Sequence, residues 1–408
     1  MGAIYTLGNA AANRLSLLLL TLISAEVLDV DSFGVFSLFL MSVASIASIS
    51  AFGGAATINS VVSKFYMRSK DLASSVLTMS MLMSVFVSLF LSALFSPAIY
   101  DIANASGAYE FVFIYFLLFI LSLLMAVFSS LEGAVYALKM AKGLLAFSLL
   151  GLLLSVASSY FLGAIYGVYG AIASIFIHRL YIALSAGRLA IGKTGLHVSV
   201  GSVKRNKEFA LMAFRRLSFP IAAASVLAAP AVTLALYILG KREGVASVAE
   251  FSIVYQCFVV AIFPAGAIGQ YLIAKSKGVL SEAVNVRVQA AKYLFVYGVV
   301  AFLGFWVAAI IASHYFHGKY EISISSFLLM GGAASIYCIN CSYSSFWSSL
   351  GYAWPIFYSQ IFMAGSILLC SLTLGETSLE IGFLLGSVSQ IGVNIVLLRL
   401  TVHEKVAL

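Results

Sequence analysis

The chain's 408 residues are 62% hydrophobic and only 9% charged, and its mean hydropathy is +1.07. A soluble domain is nearer half apolar and a quarter charged, so the composition excludes one and indicates an integral membrane protein. The formal net charge of +8 comes from loop lysines and arginines, which makes it a topology signal; no nucleic-acid partner is expected.

Only helices and closed barrels satisfy their backbones in lipid. The apolar runs here are long and continuous, which excludes a barrel and predicts an all-α fold. A spanning helix takes about 20 residues. Cutting at charge clusters and turn residues gives spans at 3–28, 33–58, 72–98, 109–131, 143–165 and 168–187 in the first half. The second half gives 209–239, 251–274, 293–313, 323–345, 354–374 and 381–402. The expected architecture is about twelve transmembrane helices in two six-helix bundles, residues 1–200 and 201–408. No basic n-region or small-residue cleavage site opens the chain, so no cleaved signal peptide is expected.

Lysine and arginine set the orientation. With a cytoplasmic N-terminus, 18 of them fall in inner segments and 3 (Lys241, Arg242 and Lys319) in outer loops. Arg14 and Arg179 remain inside spans. Asp29, Asp31, Asp101, Glu376 and Glu380 sit on the outer side, so both termini are expected in the cytoplasm. The longest loop, 188–208, is basic and reads as an inner anchor or an attractor of anionic headgroups.

Charge within a membrane is costly and usually faces a cavity or a partner. In the first span, Thr6, Asn9, Asn13, Arg14, Ser16, Thr21 and Ser24 fall within an arc of about 160° at helical spacing. The other face is Gly8, Ala11, Ala12, Leu15, Leu18, Leu19, Leu22 and Ile23. A helix starting at Ala3 puts Arg14 about 17 Å in, near mid-bilayer; one starting nearer Ala11 lets it snorkel to the inner interface. Arg179, beside His178, lies about 12 Å from the inner end of the sixth span, within snorkelling reach. Arg215 and Arg216 open the seventh span, as cavity cations or interfacial anchors, ahead of Pro220 and Pro230, which should bend it. Gln256, Gln270, Asn340, Gln360, Gln390 and Asn394 are intramembrane but neutral, and suit helix–helix hydrogen bonds. Glu26 and Glu132 fall at span ends, so no proton-coupling carboxylate stands out. A cavity lined by arginine suits an anionic substrate.

Other motifs carry less. "GRLAIGKT", Gly187 to Thr194, spells a phosphate loop, but that loop needs a preceding strand, and here a membrane helix precedes it. Any active transport should therefore draw on an ion gradient or a partner. Cys257, Cys338, Cys341 and Cys370 fall within spans as small buried residues. His314 and His317 form an outer H-x-x-H too sparse for a metal site. No Ser–His–Asp cluster, carboxylate pair or DXD-like motif appears, so no catalytic residue, metal or cofactor is expected and the chain is not read as an enzyme.

The "RLS" of Arg14–Ser16 recurs at Arg216–Ser218, 202 residues on. "FSSLEGAVYALKMAKGLL" has a looser counterpart in "YSSFWSSLGYAWPIFYSQ", and "YGVYGAIASIF" shares glycine–small spacing with "LEIGFLLGSVSQ". Six spans per half make the repeat parallel, with a pseudo-twofold axis along the membrane normal. Such transporters bind substrate between halves and alternate between inward and outward openings.

The stretch "LDVDSFGVFSLFLMSVASIASISAFGGAATINSVVSKF" pairs an acidic turn with Phe33–Gly34, then a small-residue helix ending in glycine before a basic loop at Lys64. With "SSLEGAVYALKMAKGLLAF" and "GVYGAIASIFIHRL", it resembles the polysaccharide-export flippases of the multidrug/oligosaccharidyl-lipid/polysaccharide (MOP) superfamily. The resemblance implies a Wzx-type O-antigen flippase of lipopolysaccharide biosynthesis. Such a protein moves an undecaprenyl-diphosphate-linked oligosaccharide across the bacterial inner membrane. Its implied partners are that substrate, membrane lipids, a coupling ion (H+ or Na+) and polysaccharide-assembly proteins. Carried onto this sequence, Arg14, Arg179, Arg215 and Arg216 are the implied substrate-binding residues, and Asn9 and Asn13, beside Arg14 on the polar face of the first span, are candidates with them. The proline often found in that family's first span is missing here. The rivals are a MATE-like small-molecule antiporter, which calls for carboxylates at span centres, and a membrane polysaccharide polymerase or ligase, which calls for a large outer loop. A purely structural subunit fits poorly with the polar arc and the repeat.

Overall fold

The structure, a computed structural model, describes the backbone of residues 2–51, 54–106, 111–275, 280–316, 318–349, 354–373 and 377–406. Side chains are described at most of these positions; those of Arg216, Pro220 and Gln270 lie outside the described set, as does His317 entirely. Among the described residues every regular element is helical. Ten helices among the described residues are long and apolar enough to cross a membrane, and the protein is a multi-pass membrane protein.

In chain order the first helices are α1 (Gly2–Val27), α2 (Val30–Ser50), α3 (Gly54–Phe65), α4 (Lys70–Ser106), α5 (Phe111–Ala137) and α6 (Ala141–Gly187). Short α7 (Val200–Arg205) and α8 (Lys207–Ala213) follow, then α9 (Phe219–Glu243), α10 (Val245–Lys275), α11 (Leu280–Tyr315), α12 (Ile324–Ser349), α13 (Trp354–Thr373) and α14 (Ser378–Val406). The chain divides into two compact units, Met1–Thr233 and Leu234–Leu408. The first half of α9 is bound into the first unit. Ser45 Oγ on α2 donates to Ala229 O at 2.9 Å and lies 2.6 Å from Thr233 Oγ1, which in turn donates to Met41 O at 3.3 Å.

The fifth and sixth expected spans are the two arms of α6. Forty-seven residues in a straight helix would reach about 70 Å, twice the hydrocarbon thickness. The chain instead folds back at Gly167, whose φ of 58° and ψ of −135° interrupt the helix. A side chain there would be strained. Beside it Gly170 lets the arms touch: a Cβ at Gly170 would sit 1.8 Å from Leu162 O.

The second expected span is cut instead. The helix expected over 33–58 ends at Ser50, and α3 resumes at Gly54. Gly133 of α5 has no room for a Cβ, which would lie 2.4 Å from Ala55 O. Helix backbones meet this closely in membranes through small residues. The acidic turn before α2 is its cap: Asp29 accepts the Ser32 amide at 2.8 Å. Helix α2 is buried along nearly its whole length, at the centre of the first unit.

Helix α4 turns a serine every fourth residue inward (Ser80, Ser84, Ser88, Ser92 and Ser96). Ser84 donates to Ser50 O of α2 at 2.9 Å, and Ser80 pairs with Ser130 of α5 at 2.8 Å. Pro97 lies inside α4, where it removes the amide that would reach Ala93 O; the Ser96 hydroxyl donates to that carbonyl at 3.4 Å. Before α9 the chain makes a π-helical turn, Phe214–Ser218. There the Phe219 amide bonds to Phe214 O, a wider turn than the α-helix makes. Turns of this kind are where helices bend.

The second unit is packed on aromatic contacts, with Phe383 of α14 against Phe251, Tyr255 and Phe258 of α10 at 5.3 to 6.1 Å between ring centroids. Arg242 donates to Ser371 O at 3.0 Å and Leu372 O at 3.1 Å, covering carbonyls at the end of α13 that the helix leaves open.

Candidate functional site

Three helical segments of the first unit run side by side in a fixed register. Helix α1 runs parallel to the first arm of α6: Gly8 meets Leu145, Asn9 meets Ser148, Ser24 meets Ser159 and Val27 meets Gly163. The second arm returns along the first, with Leu189 at Gly143, His178 and Ile182 at Gly151, and Gly170 at Gly163. Carried across both pairings, the register sets Arg14, Gly151 and the His178–Arg179 pair at one level. By helical rise Arg14 is about 18 Å from the start of α1, the middle of that helix.

The polar arc expected on α1 does face protein: Asn9, Asn13, Ser16, Thr21 and Ser24 are buried, while Leu7 and Leu15 are exposed. Asn9 anchors a closed network. Its Nδ2 donates to Glu132 Oε1 at 2.9 Å and to the Tyr136 hydroxyl at 2.5 Å, and its Oδ1 accepts from Ser148 Oγ at 2.5 Å. Tyr136 donates to the same Glu132 Oε1 at 2.7 Å. Glu132 and Tyr136, one helical turn apart, are placed together by α5, which runs to Ala137.

Beside this satisfied network lies an unsatisfied one. Asn13 is buried with neither amide atom bonded, and His178, at 0% exposure, has both ring nitrogens unpartnered. Arg179 is 5% exposed, its Nε is unpartnered, and its guanidinium finds no acceptor among the described residues. Arg14 is exposed. Arg14 and Arg179 act electrostatically on Glu132 and on each other, yet among the described residues neither guanidinium lies in an ion pair within 4.0 Å. Two guanidiniums face one carboxylate, so the cluster keeps a net positive charge. A buried charge without a partner costs several kcal/mol. An anion with two or more oxygens would satisfy Arg179 bidentately and reach the idle donors of Asn13 and His178.

Of the residues expected to bind substrate, Asn9, Asn13, Arg14 and Arg179 are thus gathered in one place. Arg215 is exposed on the π-helical turn, which packs on α3 and α8; Ser218 of the same turn bonds to Thr57 of α3 at 3.2 Å. Arg216 has its backbone in that turn and its side chain outside the described residues. Glu132, Tyr136, Ser148 and His178 were not expected. Ending the fourth span at 131 left Glu132 outside it, whereas α5 continues for six residues beyond Leu131. The spacing of Glu132 and Tyr136 at i and i+4 was the available signal.

In the second unit the intramembrane amides close on one another. Asn340 donates to Gln390 Oε1 at 2.9 Å, Asn394 donates to Asn340 Oδ1 at 2.8 Å, and Trp347 Nε1 donates to Asn394 Oδ1 at 2.9 Å. They tie α12 to α14, as expected of neutral polar residues. Arg287 lies 4.4 Å from the Tyr343 ring centre and donates to its hydroxyl at 3.0 Å. The phosphate-loop spelling falls on the end of α6 and a π-helical turn, Arg188–Gly192, with Thr194 bonded back to Ala190 O. No loop cradles an anion there.

No protein-family model matches the chain, and no curated protein matches it by sequence. Solved structures do. A multidrug resistance MATE family transporter of the MOP superfamily in an inward-facing conformation superposes with a TM-score of 0.70 at 17% identity, over 96% of each chain. An outward-facing one gives 0.71 at 15%, over 99% of this chain and 95% of that one. A MOP superfamily transporter from Pyrococcus furiosus, for which a reverse-polarity binding pocket is taken to suggest a different function, gives 0.67 at 15%, over 96% and 93%. The fold is therefore that of these transporters, all-α with two helical bundles. The similar structures are transporters, not enzymes.

Proposed function

We propose that the chain is an alternating-access transporter for an amphiphile with a phosphate-bearing headgroup, a lipid-linked oligosaccharide of the O-antigen kind. It would act in the bacterial inner membrane, with both termini in the cytoplasm as the loop charges imply. The observation that carries this is Arg179, buried at the level of Arg14 and, among the described residues, without an acceptor, as His178 and Asn13 are without partners. That arrangement has no use in a neutral helix interface and fits an incoming anion. Similar folds described in inward-facing and outward-facing conformations support alternating access. Transport uphill would draw on H+ or Na+, and polysaccharide-assembly proteins would supply and receive the substrate.

The rival is a MATE-like small-molecule antiporter, which the multidrug function of similar folds favours. A cationic drug, however, would meet two guanidiniums against one carboxylate. The deciding experiment reconstitutes the full chain in liposomes with a fluorescent prenyl-diphosphate sugar and follows its appearance in the opposite leaflet. Translocation by wild type, lost in R179A at equal protein level, is expected. Transport of cationic dyes with no movement of the diphosphate would reject the proposal.

A further inference from the structure

Arg14 and Arg179 both act electrostatically on Glu132, and its hydrogen bonds are one-sided. Asn9 and Tyr136 both donate to Oε1, while Oε2 has no hydrogen bond among the described residues. We infer that Glu132 is a resident counter-anion: it offsets part of the charge of Arg14 and Arg179 in the empty protein and yields that role to the substrate's anionic headgroup by taking up a proton on Oε2. This rests on the function proposed above and adds to it a residue that selects substrate charge.

The charges favour this exchange. A diphosphate diester carries two negative charges, which Arg14 and Arg179 match when Glu132 is neutral. With Glu132 ionised, the loaded site would hold one uncompensated negative charge away from water, a costly state. The network tolerates the change, because a carboxylic acid protonated on Oε2 still accepts both bonds at Oε1. The step balances as one anion bound and one proton taken from water on the side from which the substrate enters.

Other ionisable groups face Glu132. Tyr136 shares α5, Arg14 comes from α1, and His178 and Arg179 come from α6. Towards the ends of packed elements lie Lys64 of α3, Lys70 and Asp71 of α4, Lys142 of α6 and Arg188 of the turn after it. Asp71 is committed to Arg205. His178 is therefore the group whose titration must be separated from that of Glu132.

The test uses the full chain in nanodiscs and a farnesyl diphosphate methyl diester, whose two charges stay fixed between about pH 5.5 and about pH 8.5. Wild-type Kd should rise about tenfold per pH unit above the Glu132 titration, with about one proton taken up per ligand in weak buffer. E132Q keeps the acceptor for Asn9 and Tyr136; it should bind with no pH slope and take up no proton, and at high pH it should bind at least tenfold more tightly than wild type. H178Q should keep the wild-type slope. A slope that survives in E132Q, or that vanishes in H178Q, overturns the inference and leaves the transport proposal standing. Wild-type binding without proton uptake does the same, whether or not E132Q folds. No binding by wild type or E132Q at any pH overturns both.

Discussion

Asp71, in the first turn of α4, accepts a 2.8 Å hydrogen bond from Nη2 of Arg205, which lies at the end of α7. The same carboxylate accepts from Ser202 Oγ at 2.7 Å and from Asn206 Nδ2 at 2.7 Å, and His197 Nε2 lies 3.5 Å away. The backbone joins in: the His197 amide donates to Ser74 Oγ at 3.2 Å and the Ser199 amide to Thr78 Oγ1 at 3.0 Å. Lys70 and Tyr66 both donate to Thr194 O, at 3.1 and 2.7 Å. The chain leaving α6 is thereby strapped to α4, and the Asp71 carboxylate raises the pKa of the Arg205 guanidinium, so that pair stays charged at any physiological pH.

Replacing Asp71 by alanine should free that strap without unfolding the helices. Hydrogen exchange at residues 197–206 should accelerate, while amides in α2 and α5 keep wild-type rates. Because the carboxylate is partly exposed, the effect of the ion pair alone should be modest. R205A should therefore accelerate exchange less than D71A, which also releases Ser202 and Asn206. Equal rates in D71A and wild type would leave the backbone bonds to Ser74 and Thr78 as the whole of the strap.

The helix inventory was largely legible because hydrophobic length is a direct readout of bilayer thickness. The turn expected between the fifth and sixth spans lies at Gly167. The break between Ser50 and Gly54 was not expected; it goes with a close backbone contact made across the fold, at Gly133 with Ala55. Hydropathy does not register such a contact. The wet face of α1 was readable because Asn9, Asn13 and Arg14 recur at helical spacing in one element. Glu132 was not, because its role comes from Asn9, more than a hundred residues away, and from an α5 that outlasts its apolar run. Arg215 shows the converse, since its place beside the repeated "RLS" of Arg216–Ser218 marked it as a candidate, yet it lies exposed on a turn packed against α3.

The α6 hairpin should be the most glycine-sensitive point of the first unit. In G170A the new methyl meets the backbone of Leu162, which cannot move without parting the two arms, so a loss of about 1–3 kcal/mol or more is expected. In G167A the space is open, and the cost is backbone strain alone, about 1–3 kcal/mol. The two differ in a second readout: G170A should also weaken transport by shifting His178 and Arg179, whereas G167A, at the tip of the hairpin, should not. Thermal unfolding in detergent and the liposome assay distinguish them.

In the second unit, Asn394 accepts from Trp347 and donates to Asn340. N394A leaves a buried indole N–H and an amide oxygen unpaired, at a cost of about 1–2 kcal/mol. W347F removes one of those orphans, so the double variant should be less destabilised than the sum of the singles. A double-mutant cycle on thermal or denaturant unfolding measures the coupling, and strict additivity would show that the bond contributes nothing. Neither change should alter the pH dependence of ligand binding, since no ionisable group is involved.

Arg14 and Arg179 should differ in what each contributes. Arg179 is buried, so R179K, with a point charge and no planar fork for an anion, should not restore transport. Arg14 is exposed on the middle of its helix, free to swing and able to meet a headgroup without having been ordered beforehand. R14K should therefore keep much of the wild-type rate, and R14A should raise the half-saturating substrate concentration more than it lowers the maximal rate. Initial rates across substrate concentrations in the liposome assay separate these outcomes. If R179K matched wild type while R14K failed, Arg14 would be the fixed receptor for the phosphate and Arg179 only a source of charge.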